Sequence, residues 1–233
     1  MHSDTNRQDM HSHLLPGLDD GAKDMNDSLS LIRQLRELGY TRLITTPHIM
    51  SGVWYNDADT ILPALDAVRA ETERAGIDVE LDAAAEYLVD DYFESLLEDK
   101  TPLLTINSKY VLVEFPFLAL PVTYRSVFFN MKMAGYEPIL AHPERYTYLH
   151  GQLDFYHELQ EAGVMLQVNL LSLHGYYGTR VQKMATQLVN AGLVQFTGTD
   201  AHHQRHLDAL SRSLPDASVL TKLGDAVIKN EGL

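Results

Sequence analysis

The sequence predicts an α/β protein, a distorted (β/α)7 TIM-like barrel with its polar chemistry at the C-terminal rim of the strands. Three observations predict it. Short apolar segments suited to strands alternate with longer helical patterns, giving seven strand-then-helix units in 233 residues, the pattern of a parallel sheet. A histidine, aspartate or glutamate stands at the downstream end of strands one to five and of strand seven. An open sheet would scatter those positions along an edge, whereas a closed barrel gathers all strand ends on one rim. Seven units in place of eight imply the distortion.

The first strand ends in "DMHSHLLPGLDDG" (9–21), with His11 and His13 one residue apart and Asp19 and Asp20 just beyond. A helix over 26–38 follows. Asn26 or Asp27 is suited to cap it, Leu29, Ile32 and Leu35 line one face, and Gly39 suits a left-handed stop. "RLITTPH" (42–48) is a strand ending at His48, followed by a helix over 59–75 that breaks at Gly76. "DVELDAAAEYL" (78–88) holds the third strand and Glu86; "VDDYFESLLED" is a short helix; "KYVLVEF" (109–115) is the fourth strand and carries Glu114. A helix over 121–134 stops at Gly135, and "YEPILAH" (136–142) ends at His142. A helix over 152–162, a strand over 164–169 and a helix over 179–191 come next. "LVQFTGTDAH" (193–202) is the seventh strand, ending in Asp200 and His202, and one or two helices complete the chain. Residues 1–8 are polar and expected to be a disordered extension, leaving 9–233 as a single domain.

Composition excludes several function classes. Cysteine is absent, so disulfides, thiolate metal sites and cysteine nucleophiles are all ruled out. Eighteen Lys and Arg stand against 32 Asp and Glu, a formal charge of −14 whose field repels nucleic acid and anionic membrane. No apolar run reaches the roughly 18 residues of a membrane span, and the polar start lacks a signal-peptide core, so a cytoplasmic location without membrane insertion is expected.

The strand-end residues are His11, His13, Asp20, His48, Glu86, Glu114, His142, Asp200 and His202. An H-x-H pair on a strand points both imidazoles to one side, because side chains alternate with period two, and Asp200 with His202 repeats that spacing. A lone buried histidine is ordinarily a core residue with a satisfied hydrogen bond. This many imidazoles and carboxylates at strand ends, with no thiolate, instead suit Zn, Mn or Fe, and Mg through the oxygens. One ion needs only about four to six ligands, so the set predicts two or three divalent ions. His2, His150, His157 and His174 read as surface residues, while His203 and His206 lie beside the site.

The segments "DMHSHLLPGLDDGAK", "TTPH", "AAEYL", "VLVEF", "AHPERY" and "GTDAH" resemble, in order and spacing, the polymerase-and-histidinol-phosphatase (PHP) superfamily. Within it the chain is most similar to the bacterial protein-tyrosine phosphatases of capsule and exopolysaccharide operons, the CpsB/CapC-like family. The resemblance spans about residues 9–210 and implies the PHP version of the barrel, a trinuclear centre with manganese foremost, and hydrolysis of phosphotyrosine by metal-activated water. It implies a partner too: the tyrosine-rich tail of a bacterial tyrosine kinase. By motif, His11, His13, Glu114 and Asp200 would hold one ion, Glu114 would bridge to a second held with His142, and Asp20, His48, Glu86 and His202 would complete the cluster. Arg145 of "HPERY" would bind the phosphate. The family's second arginine would correspond to Arg205, which stands nearer to the D-x-H motif here than in some relatives. Trp54 and Tyr55, in "SGVWYND", offer rings that could stack on a phosphotyrosine or simply pack their loop. Two other readings remain in view: a small-molecule phosphoesterase of the same superfamily acting on a substrate such as histidinol phosphate, and a non-catalytic metal-containing binding module.

Overall fold

The first three helices start at acidic caps. Asp24, Asp57 and Asp90 each accept a hydrogen bond from the backbone N–H three residues on, satisfying a donor the helix cannot use internally. In the computed structural model, which describes residues 7–213 and Asn230, these caps open α1 (Met25–Glu37), α2 (Ala58–Arg74) and α3 (Asp91–Glu98). The cap of α1 is therefore Asp24 rather than Asn26 or Asp27, and its inward face is Ser28, Leu31, Ile32 and Leu35, with Leu29 half-buried beside it. The other helices are α4 (Tyr124–Met133), α5 (Leu153–Glu161), α6 (Leu170–Leu173), α7 (Thr179–Asn190) and α8 (Gln204–Ser213).

The strands are β1 (Arg7–Asp9), β2 (Tyr40–Thr45), β3 (His48–Ile49), β4 (Glu80–Ala83), β5 (Glu86–Leu88), β6 (Tyr110–Glu114), β7 (Glu137–Ala141), β8 (Met165–Asn169) and β9 (Phe196–Gly198). All pairings between them are parallel, in two sheets of order β1-β2-β4 and β3-β5-β6-β7-β8-β9. The expected second strand is thus interrupted between β2 and β3, where Pro47 has no N–H to give a ladder, and the expected third between β4 and β5. Backbone bonds span the interruptions: Thr46 N to Ser12 O at 2.7 Å, Ala84 N to Thr45 O at 2.9 Å and Glu86 N to Pro47 O at 3.0 Å. On the far side, Asp200 N donates to His11 O at 2.8 Å and His13 N to Ala201 O at 2.9 Å, with Ser12 bridged in parallel to Ala201.

Arg7 and Gln8, expected in the polar extension, belong to β1 and pair with Tyr40 and Arg42. Residues 1–6, and all but Asn230 after Ser213, lie outside the described residues, as do His2 and any helix beyond α8. Two apolar layers hold the strands. Met10, Ile44, Ala84, Ile106, Leu112, Ile139, Ala141 and Phe196 form one fully buried cluster contributed by successive strands. A larger cluster joins the other strand faces to the helices, including Leu31, Leu35, Val113, Phe128, Leu166 and Met184. Each fully buried Leu, Ile or Phe is worth about 1.5–3 kcal/mol relative to exposure. No helix among the described residues is long and apolar enough to cross a membrane.

Candidate metal centre

The strand ends deliver every expected ligand to one place. Groups of donor atoms lying within 4.8 Å of one another comprise His13, Asp20, His48 and His202; His11, His142 and Asp200; His11, His13 and Glu86; and His48, Glu86 and Glu114. Glu86 sits in the middle. Its carboxylate lies 3.1 Å from His11 Nε2, 3.4 Å from His13 Nε2, 3.2 Å from His48 Nδ1 and 2.9 Å from His142 Nε2. Glu114 lies to one side, 3.1 Å from His48 Nδ1 and 3.8 Å from His142 Nε2, and belongs to no group with His11 or His13. Glu86 is therefore the central carboxylate of the constellation, whereas Glu114, expected with His11, His13 and Asp200, falls in the donor group of His48 and Glu86. Spacing along the chain says which strand carries a carboxylate, not which strand end lies at the middle of the rim.

Local backbone aims these side chains. His142 and Asp200 adopt positive φ, 33° and 51°, a region costly for non-glycine residues that turns each chain sharply at a strand end. Gly21 lets the Asp19–Asp20 turn close onto the first strand, since a Cβ there would collide with the His13 carbonyl oxygen and Cβ. Gly198 does the same for β9, where a Cβ would meet His11 Cβ at 2.7 Å and Gln167 Nε2 at 2.8 Å.

The donor set passes a chemical test for cations. His11 Nδ1 lies 2.8 Å from Gln167 Oε1 and His13 Nδ1 lies 2.7 Å from Asp19 Oδ2, so both Nδ1 atoms have acceptors to donate to. Each neutral ring then presents a bare lone pair at Nε2, and these two atoms lie 3.3 Å apart. Facing lone pairs at that distance are satisfied either by a proton on one of them or by a cation that both ligate. His48 Nδ1 and Glu114 Oε1 are likewise buried, 3.1 Å apart, and make no well-directed hydrogen bond. Divalent cations with nitrogen and oxygen ligands fit this arrangement.

The electrostatics agree. Burial opposes a charge on His11, but Glu86 and Asp200 outweigh it and its pKa is pushed up to about 10. His48 rises to about 10 in the same way, with burial overcome by Glu86 and Glu114. Burial opposes the carboxylates too, yet imidazolium neighbours hold Glu86 and Asp200 well below the usual carboxylate range. A rim so rich in anions favours the charged form of His11, His48 and His202. Cations placed there would take over that neutralisation.

Sequence reasoning passed over Asp19, Gln167 and Asn169. Asp19 and Gln167 orient His13 and His11, and Asn169 Nδ2 donates to Asp200 Oδ2 at 2.6 Å. Their signal was available in part: Asp19 adjoins Asp20, and Gln167 and Asn169 are polar residues in an otherwise apolar strand. Beside the ligands is a cavity of about 200 Å³ lined by Asp20, His48, His142, Asp200 and His202 together with Arg145 and other polar and aromatic side chains. Arg145 reaches it from the turn after β7, with Nη1 donating to Asp200 Oδ2 at 3.0 Å. Arg205 is exposed on the first turn of α8 and does not line the cavity, whereas His203 and His206 do. Trp54 and Tyr55 do not line it either. A bridge between Met50 and Trp54 folds their loop on itself and leaves Tyr55 77% exposed, while the aromatic walls are Phe117 and Tyr177. His157 is exposed as expected, but His150 and His174 are half-buried, bonded to the carbonyls of Glu144 and Leu170.

A family model for capsular polysaccharide synthesis, CpsB/CapC, matches residues 7–217. The tyrosine-protein phosphatase YwqE of Bacillus subtilis is 33% identical over 196 residues, covering 84% of this chain and 77% of that protein. A crystal structure from work on YwqE of Bacillus subtilis and CpsB of Streptococcus pneumoniae, described as unique metal-dependent tyrosine phosphatases, superposes with a TM-score of 0.82 at 27% identity. The match covers 96% of this chain and 94% of that one. The histidinol phosphate phosphatase of Lactococcus lactis, solved with zinc, L-histidinol and phosphate, shares the fold with a TM-score of 0.56 at 12% identity, covering 94% of each chain.

Proposed function

Because the chain belongs to the CpsB/CapC family of capsular polysaccharide synthesis, we propose that it is a metal-dependent protein-tyrosine phosphatase, hydrolysing phosphotyrosine at the rim described above. The observation that carries this reading is the convergence of His11, His13, His48, His142, Glu86, Glu114 and Asp200 beside a guanidinium-bearing cavity. These residues, together with Asp20 and His202, would hold two or three divalent ions, manganese foremost. When bound, they supply Lewis acidity at the phosphoryl oxygens and a nucleophile from water near neutral pH.

The chain's own residues do the rest. Arg145, with one N–H committed to Asp200, has further donors for equatorial phosphoryl oxygens, and such charge-assisted pairs strengthen as negative charge redistributes in the transition state. Gln167 and Asp19 keep His11 and His13 in the tautomer whose Nε2 faces the centre. Phenolate leaves readily, so the demand on a proton donor such as His202 Nε2 is small. With no cysteine in the chain, hydrolysis does not pass through a thiolate. The bonds from Asp200 to His11 and from His13 to Ala201 support joining the two sheets into one distorted seven-stranded barrel within a single domain. The substrate is a phosphotyrosine-bearing protein segment, the tyrosine-rich tail of a bacterial tyrosine kinase, met in the cytoplasm.

The test compares kcat/KM on a phosphotyrosine peptide, a phosphoserine peptide and histidinol phosphate with the manganese-loaded protein. Preference for the phosphotyrosine peptide by about 100-fold or more, roughly 2.7 kcal/mol of transition-state discrimination, is expected. Equal or better turnover of histidinol phosphate would assign the site to small-molecule phosphoesters instead. Bound metal with no turnover of any of the three would make the chain a binding module.

A further inference from the structure

Among the described residues that line the cavity, Arg145 is the only lysine or arginine; Arg205 is exposed on α8 and is not among them. A single guanidinium on a long side chain must be held still if it is to meet a phosphoryl group in one geometry. The structure holds it from two sides. Its Cζ lies 4.9 Å from the ring centroid of Phe117 and 4.6 Å from that of Tyr177, both within cation–π range. Asp200 fixes one edge through Nη1 at 3.0 Å.

Both rings sit on held backbone, Phe117 with 46% of its surface exposed. The backbone before Phe117 is pinned by Phe115 N donating to Tyr146 Oη at 2.9 Å and by Tyr148 Oη donating to Pro116 O at 2.9 Å. The Phe117 ring also lies nearly parallel to His142, 16° apart with centroids at 5.7 Å. Tyr177 is set by a turn between two left-handed glycines, Gly175 and Gly178, closed by Gly178 N donating to Gly175 O at 2.9 Å.

We infer that Phe117 and Tyr177 are positioning residues, an aromatic clamp that presents Arg145 to the phosphoryl group of an aryl phosphomonoester. This rests on reading the site as a phosphomonoesterase. The chemistry favours rings over polar residues in this role. An aromatic face holds a guanidinium through its plane and consumes none of its five N–H donors, whereas a second carboxylate would compete with the phosphate for them. Asp200 takes one donor and the clamp takes none, so the remaining donors stay available for phosphate oxygens. The clamp thereby does part of what a second arginine would do: it raises the fraction of time in which the first is correctly placed.

The experiment uses the metal-loaded protein, measuring kcat and KM on para-nitrophenyl phosphate and the competitive Ki of inorganic phosphate. Phe117→Leu and Tyr177→Leu are each expected to raise KM and the phosphate Ki together by about tenfold with a smaller change in kcat and with bound metal retained. Phe117→Trp and Tyr177→Phe, which keep a ring, should recover most of that loss. In an Arg145→Ala background the leucine substitutions should add nothing, since there is no guanidinium left to hold. An unchanged phosphate Ki in the leucine variants would overturn the clamp. So would a loss that multiplies undiminished onto Arg145→Ala, which would mean the rings touch substrate directly. Should Phe117→Leu not fold, Tyr177→Leu carries the same test. Failure of the underlying phosphatase reading is seen separately, as metal-loaded parent protein that does not hydrolyse para-nitrophenyl phosphate at all.

Discussion

The same strands build two layers with opposite physics. Within the strands or just past their ends, Met10, Ile44, Ala84, Leu112, Ile139 and Phe196 pack together with no polar partner needed. One or a few residues downstream lie His11, His48, Glu86, Glu114, His142 and Asp200, buried almost as completely but ionisable. The apolar layer is held by dispersion and exclusion of water, indifferent to pH. The polar layer is held by mutual compensation of charge, and removing one member leaves others buried without a counter-ion. A stable plug directly beneath allows the rim to carry the left-handed backbone at His142 and Asp200 and the crowded carboxylates that function requires.

Single substitutions in each layer sharpen that contrast. Glu86→Gln removes the central negative charge and is expected to lower turnover about 100-fold or more, with loss of bound metal measured by elemental analysis. Leu112→Ala, in the layer below, should cost about 2–5 kcal/mol in denaturant unfolding while the folded fraction keeps its metal and most of its kcat. If Glu86→Gln kept its metal, or Leu112→Ala lost metal while folded, the two layers would not be separate in function.

pH breaks the comparison differently. In chelated protein, His11 and His48 have folded pKa values near 10, above the ordinary histidine value. A raised folded pKa means the stability is fully present below the unfolded value of about 6.5 and is lost as pH rises towards 10. Metal-free protein should therefore lose thermal stability between pH 6.5 and 10, and bound divalent ions, which need neutral imidazoles, should flatten or reverse that trend. Melting curves at matched ionic strength, with and without metal, test it. The smallest effects belong to residues outside the cavity: Arg205→Ala and Trp54→Ala should each change kcat/KM on para-nitrophenyl phosphate by less than about twofold.

The rim was legible in the sequence because a strand's downstream end is visible as an apolar run terminating in a polar residue, and parallel topology puts all such ends on one side. His11, His48, Glu114 and His142 were readable on that ground alone. Which carboxylate is central was not, since it depends on how the strand ends are arranged in space, and Glu86 opens β5 after the break that follows β4. Helix phase hid the fate of Arg205, because one residue along α8 decides between solvent and the buried position of His206. Phe117 and Tyr177 carried no periodic signal at all. They reach the cavity from loops, the Phe117 loop held by hydrogen bonds to residues far along the chain and the Tyr177 loop by a local turn.

The most direct measurement strips the protein with a strong chelator, then titrates manganese back while recording ions bound per chain and hydrolysis of para-nitrophenyl phosphate in the same samples. The account predicts that the stripped protein is inactive to within about 0.1% of the reconstituted rate, that activity returns only as two or three ions bind, and that thiol alkylation changes nothing. Full hydrolysis by protein shown to contain no metal would contradict it.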